Sequence, residues 1–225
     1  MDPALILVAL VVVAAIGTPL WFVLRGRSES RRRARRTAFA QRVGGVEHHH
    51  DSGTRPRYGH FPEPDYISGA PFYYALEFTR HGHPVVASES RVRHGPDRPM
   101  RYRGIVQLPV RLPAGAPPLE IGSHLPSVWE HTAKTKVDPV ADLPGADQGL
   151  RARCSDETFA RQVVTPTLAA IVTAHKRHGH LPRIVLEHGT IRTWVGGRLA
   201  GDDVLRAADL LVEIAQALPQ QRSLS

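Results

Sequence analysis

The chain has 225 residues, with 42% hydrophobic and 22% charged residues, which is too apolar for a wholly disordered polypeptide and long enough for one domain with appendages. Its single cysteine excludes an intramolecular disulfide framework and any four-cysteine zinc site. The formal net charge of +8 invites a nucleic-acid reading, and the distribution of that charge argues against it.

Residues 4–24 contain no charged side chain, and thirteen of these 21 positions are Leu, Ile, Val or Phe. As a helix the segment would be ~31 Å long, against ~30 Å of bilayer hydrocarbon. At roughly −0.3 to −0.6 kcal/mol per apolar residue, insertion is favoured by about 4–8 kcal/mol. The reading is a transmembrane helix over residues 1–24, with Trp21 near the headgroups and Pro19 as a tolerated kink. The competing reading is a cleaved signal peptide, with the small residues Ala15-Ile16-Gly17 as its cleavage site. Against it, Met1-Asp2-Pro3 offers no positive n-region and the apolar run continues to Leu24.

Arg25, Arg27, Arg31, Arg32, Arg33, Arg35 and Arg36 follow this segment and no basic residue precedes it. The positive-inside rule then expects a single-pass protein of the cell membrane, its N-terminus outside and its C-terminal domain in the cytoplasm. Between residues 25 and 57 ten Arg and three acids give +7, whereas residues 58–225 carry nineteen basic and seventeen acidic residues, or +2. The basic character belongs to a juxtamembrane arm, residues 25–43, expected to lie along the inner leaflet. There the seven arginines are candidate ligands for anionic lipid headgroups, at ~1 kcal/mol each. No aromatic residue is interleaved with them before Phe39, and no nucleic-acid recognition motif accompanies them. The excess of 26 Arg over 3 Lys fits the codon usage of a GC-rich genome.

Residues 44–70 hold five Gly, three Pro and the run His48-His49-His50, with neither a helical nor a strand period. They read as a flexible linker with a root-mean-square reach of ~29 Å, in which the histidines are solvated or hold metal loosely. A domain over residues 71–219 follows, and residues 220–225 form a tail. Apolar residues at 72, 74, 76 and 78 mark a half-buried strand. His81-Gly82-His83-Pro84 is a turn, and residues 85–92 return as its hairpin partner. Residues 102–112 form a third strand, which Pro109 places at an edge or a bulge. Residues 119–122 form a short fourth strand, and residues 123–147 are irregular with one helical turn near Trp129.

The C-terminal part is more regular. Residues 150–154 alternate as a strand, and Ser155-Asp156 caps a short helix through Gln162. Thr165-Pro166 opens a second helix, with Leu168, Ile171, Val172 and His175 on one face until Gly179. Residues 183–187 and 190–195 flank His188-Gly189 as a second hairpin. Asp202 then caps a final helix with a stripe of Leu205, Ala208, Leu211, Val212, Ala215 and Leu218, ended by Pro219. The expected fold class is α+β: an N-terminal transmembrane helix, then a mainly antiparallel sheet with two or three C-terminal helices packed on it.

The chemistry-bearing residues each have a plainer structural role. His175, His178 and His180 suit a helix C-terminus, where a positive imidazole meets the dipole and free carbonyls, and Lys176 and Arg177 would repel a metal. His81, His83 and His188 read as turn residues. Cys154 at a strand-to-helix junction is a core residue or, if a histidine stands beside it, a nucleophile. Asp202-Asp203 reads as a helix N-terminus and Gly196-Gly197 as a turn, because no G-x-G-x-x-G or Walker motif follows. No cofactor and no metal are expected.

The opening strand 72–78, the proline-punctuated strand 105–113, residues 154–159 leading into Thr165-Pro166, and the closing residues 215–219 carry a resemblance. They resemble short actinobacterial single-pass membrane proteins with an uncharacterised cytoplasmic domain, over residues 4–24 and 71–219. The resemblance implies membrane anchoring and carries over no catalytic residues. The expected function is therefore a membrane-anchored, non-catalytic interaction or scaffolding module on the cytoplasmic face. Its partners would be the lipid bilayer, anionic headgroups and an unidentified protein. The alternative is a membrane-tethered hydrolase using Cys154 or a histidine cluster.

Overall fold

The computed structural model describes residues 29–93, 95, 98–123, 139–140, 150–176, 181–197, 199 and 201–219. It corrects the expected fold class. The described chain is an α+β fold on a large antiparallel sheet, and no helix in it is long and apolar enough to cross a membrane. Residues 4–24, on which the membrane helix was expected, lie outside the described residues.

Helix α1 covers residues 29–43. Strands β1 (Val46–His49), β2 (Tyr74–Arg80), β3 (His83–Val92) and β4 (Arg101–Pro109) follow, then β5 (Leu119–Ser123), β6 (Pro139–Val140) and β7 (Leu150–Cys154). Helices α2 (Glu157–Val163) and α3 (Pro166–Ala174), the hairpin β8 (Ile184–Glu187) and β9 (Thr190–Gly196), and α4 (Asp202–Ala217) complete the chain. Among the described residues the nine strands form one sheet in the order β1-β2-β3-β4-β9-β8-β5-β7-β6, with every neighbouring pair antiparallel. The crossover from β4 to β9 and the return of β5 beside β8 join the N-terminal and C-terminal strands.

Both hairpins form and both turn on a His-Gly pair, but His83 and Pro84, read as turn residues, open β3 and pair with β2. Arg80 pairs with His83 and Glu187 with Thr190. His81 (φ 48°) and Gly82 (φ 77°), like His188 (φ 50°) and Gly189 (φ 69°), have the two positive φ values of a type I′ turn. That turn has the twist two antiparallel strands require. Pro109 does not mark an edge strand or a bulge. β4 is central, between β3 and β9, and Pro109 is its last residue, where a missing N–H ends the ladder.

One face of the sheet carries Tyr74, Leu76, Phe78, Val85, Ala87, Val106, Leu108, Ile191 and Val195 into a single core with α4, α3, α2 and the C-terminal half of α1. Asp156 accepts from the Phe159 amide at 3.0 Å to cap α2, and the Thr165 hydroxyl accepts from the Leu168 amide at 3.3 Å to cap α3. α3 stops at Ala174 with His175 as its C-cap, four residues before Gly179. α4 differs in its start and in its buried face. Gly201 is its N-cap and makes no side-chain cap bond, so Asp202 and Asp203 serve as first-turn charges, and Asp202 accepts from Arg42 Nη2 at 3.2 Å while Asp203 pairs with Arg206. Its buried face is Val204, Ala207, Ala208, Leu210, Leu211, Val212 and Ile214, because the helix is covered by the sheet and by α3. Leu205 and Ala215 of the expected stripe are only half-buried.

The segment expected to be a flexible linker is part of the fold. β1 pairs with β2, and residues 50–73 form a strap over the second face of the sheet, where Ala75, Val86, Ser88, Ile105 and Gln107 are buried. Asp65 is fully buried, the Tyr66 amide donates to the Arg91 carbonyl at 2.8 Å, and the His60 amide donates to Gln107 Oε1 at 2.9 Å. Gly59 (φ 129°) permits that approach, since a Cβ there would lie 2.7 Å from Gln107 Nε2. The strap has the composition of coil because its backbone bonds go to side chains and single carbonyls, which impose no sequence period. The folded unit thus includes α1 and β1 rather than beginning at residue 71. The helical turn expected near Trp129 lies outside the described residues.

Candidate functional site

The arginine-rich arm is where sequence and structure diverge most usefully. α1 buries Arg32, Arg36, Phe39 and Ala40, spaced for one face of a helix of 3.6 residues per turn. The C-terminal pair is apolar and joins the core. The N-terminal pair is cationic, so its burial requires a partner.

Glu89, placed by β3 on the core face and fully buried, is that partner. Nη2 of Arg32 donates to Glu89 Oε1, and Nη2 of Arg36 donates to the same oxygen at 2.6 Å. The Leu199 amide donates to Glu89 Oε2 at 3.3 Å. Aromatic rings wall the cluster: the Arg32 guanidinium lies 3.8 Å from the Tyr102 ring centroid, and that of Arg36 lies 4.5 Å from Tyr74. Burial alone would lower the Arg32 pKa, but the Glu89 carboxylate and Tyr102 outweigh it and hold the guanidinium charged. Burial pushes the Tyr74 hydroxyl up, as does Glu47, whose Oε1 accepts its proton at 3.0 Å. Tyr73 lies between Arg91, 4.1 Å from its centroid, and Glu29, to which its hydroxyl donates at 3.3 Å.

This geometry divides the seven candidate lipid ligands. Arg25 and Arg27 lie outside the described residues. Arg32 and Arg36 are 4% and 2% exposed and engaged with Glu89, so a lipid headgroup cannot reach them, and their assignment as headgroup ligands is corrected. Arg31, Arg33 and Arg35 are exposed. Arg31 and Arg35 share one flank at i,i+4 spacing, and Arg33 Nε lies 4.0 Å from Glu29 Oε1.

The other chemistry-bearing residues also have places. Cys154 ends β7, is 4% exposed and pairs in register with Leu119 inside the core. His48 is buried in β1, its Nε2 3.6 Å from Glu77 Oε2, whereas His49 and His50 are exposed. His175 is the C-cap of α3 through its backbone, but its imidazole meets a carboxylate that the sequence does not reveal rather than the free carbonyls of the helix, with Glu213 Oε2 3.3 Å from His175 Nε2. His178 and His180 lie outside the described residues. A shallow open groove beside α4 is lined by His81, His175, Asp209 and Glu213, but Arg80 binds Asp209 with two bonds of 2.6 and 2.8 Å. That carboxylate is therefore committed to an ion pair.

Sequence reasoning missed Glu89 altogether. It sits in the apolar strand 85–92, where one acid on the inward face among Val85, Ala87 and Arg91 was the available signal. No family model, no curated protein and no solved structure matches this chain.

Proposed function

We propose that this chain is a non-catalytic interaction module working at the cytoplasmic face of a membrane. The apolar segment 4–24 and the outward arginines of α1 would hold it there. The observation that carries the reading is the docking of α1 through Arg32, Arg36 and Glu89. A helix fixed to the sheet this way ties the domain directly to residue 29, in place of a leash of 27 linker residues. Arg31, Arg33 and Arg35 then face outward beside the attachment point, where each basic residue near an anionic surface contributes ~1 kcal/mol. The burial of Cys154 counts against the cysteine form of the hydrolase alternative, because a nucleophile in the core has no open route to substrate. The likeness to short actinobacterial membrane proteins agrees with it and rests on the sequence features alone.

The test is fractionation of the full chain expressed in membranes. The chain is expected to stay with washed membranes in high salt and alkaline carbonate and to leave only in detergent. Protease is expected to cut the domain only in vesicles that expose the cytoplasmic face. Release by salt alone, or cleavage from the opposite face, would overturn the proposal.

A further inference from the structure

We propose that His60, Glu187 and His188 form a binding site for a divalent cation of the zinc class, and that the ion pins the strap to the β8–β9 hairpin. One ligand atom from each of the three lies within 4.8 Å of the other two. The His60 and His188 rings have centroids 4.7 Å apart, and His188 Nε2 is 3.4 Å from Glu187 Oε1. A tetrahedral ion with ligands at ~2.0–2.2 Å needs donors roughly 3.3 Å apart, so the Glu187–His188 pair already has the spacing. The remaining closure is a side-chain rotation. His188 can make it, because its side chain is 64% exposed at the tip of the turn.

The site depends on backbone features that each place one donor. Adjacent residues of a strand point to opposite faces, yet the positive φ of His188 turns its ring back beside Glu187. The Val110 amide holds that turn by donating to the Gly189 carbonyl at 2.9 Å. His60 is fixed from the strap side by the bond from its amide to Gln107. Two imidazoles and one carboxylate are a zinc donor set that leaves a fourth position for water or another ligand. Arg192, on β9 and 5% exposed, donates from Nη2 to Glu187 Oε2 at 2.5 Å. Its positive charge opposes a cation, but it occupies one carboxylate oxygen and leaves Oε1 for the ion, as outer partners of ligating carboxylates do. The chain order hides this site, since His60 and His188 are 128 positions apart and His60 lies in the segment that reads as linker.

The experiment titrates the purified full chain, in mild detergent, with Co²⁺ as a spectroscopic stand-in and with Zn²⁺ against a chromophoric chelator. One equivalent of Co²⁺ is expected to give the intense visible bands of a four-coordinate site, displaced by Zn²⁺. His60→Gln and His188→Asn are each expected to lose those bands and to weaken Zn²⁺ binding at least tenfold, with circular dichroism unchanged. Asn is chosen at 188 because it tolerates the positive φ. His49→Ala/His50→Ala and His175→Ala are expected to keep the bands. Bands that survive both site variants, or that disappear with His49 and His50 or with His175, would overturn the proposal. So would the absence of a four-coordinate Co²⁺ spectrum from the unaltered chain.

Discussion

Glu89→Gln tests the central feature of the fold. The substitution keeps size and an acceptor oxygen but removes the carboxylate that Arg32 and Arg36 share, leaving Arg32 with Glu29 at 3.4 Å; both arginine side chains are 3% exposed. Removing one partner of a buried ion pair costs about 3–5 kcal/mol, because the remaining charge stays desolvated. Two guanidiniums share this carboxylate oxygen, so the upper part of that range applies unless α1 undocks. Undocking would return both arginines to water and cap the loss at the packing of Phe39 and Ala40. For a protein of this size a loss of about 4 kcal/mol lowers Tm by about 8–16 °C. The assay is urea and thermal denaturation of the full chain in mild detergent, with limited trypsin digestion reporting protection at Arg31 to Arg36. A companion Arg32→Met/Arg36→Met/Glu89→Leu variant removes all three charges and is expected to recover most of the loss, since apolar groups of similar volume replace such clusters at little cost. Equal stability and equal trypsin protection in Glu89→Gln would refute the reasoning. An equal loss in the triple variant would reassign the energy to stacking on Tyr74 and Tyr102.

The strap supplies a pH-dependent element. Burial would raise the Asp65 carboxyl, but bonds from the Arg91 guanidinium, the Ser68 hydroxyl and both backbone amides hold it well below the usual carboxylate range. A depressed folded-state pKa contributes stability that is fully present above the unfolded value of ~3.9 and is lost as pH falls toward the folded value. The stability gap between the unaltered chain and Asp65→Asn is therefore expected to be constant near neutrality and to shrink below about pH 4. A gap independent of pH down to acid unfolding would contradict this. Gly104→Ala should cost about 1–3 kcal/mol by denaturant midpoint, because its Cβ would meet Val195 Cγ2 at 2.5 Å and Leu199 Cδ2 at 3.1 Å. A neutral result would mean β4 and β9 can separate locally. Cys154 is expected to resist a thiol reagent in the native chain and to react fully in denaturant, and rapid native labelling would place it outside the core.

The elements with a regular period were legible. Alternation in residues 72–80, the runs 183–187 and 190–195 flanking His188-Gly189, and the caps Asp156 and Thr165 each act over a few neighbouring residues, so local sequence carries them. The arm and the strap were not legible, for two different reasons. In the arm a helical stripe is present, but its first two members are arginines, which read as solvent-facing until a carboxylate 53 and 57 positions away makes their burial tolerable. In the strap no period exists to be read. Its bonds run one at a time to Gln107, Arg91 and Glu77, and only the finished sheet brings those groups together.

The sequence by itself determined an α+β chain with two tight hairpins, a charge-free apolar N-terminal stretch, a basic segment after it and a near-neutral remainder. Tertiary structure alone decided that β4 is central, that two of the basic residues are interior, and that His60 meets His188. Hydrophobic period and turn chemistry are local properties of neighbouring residues. The burial of a charge and the meeting of distant ligands depend on partners that are set only when the strands have found their order.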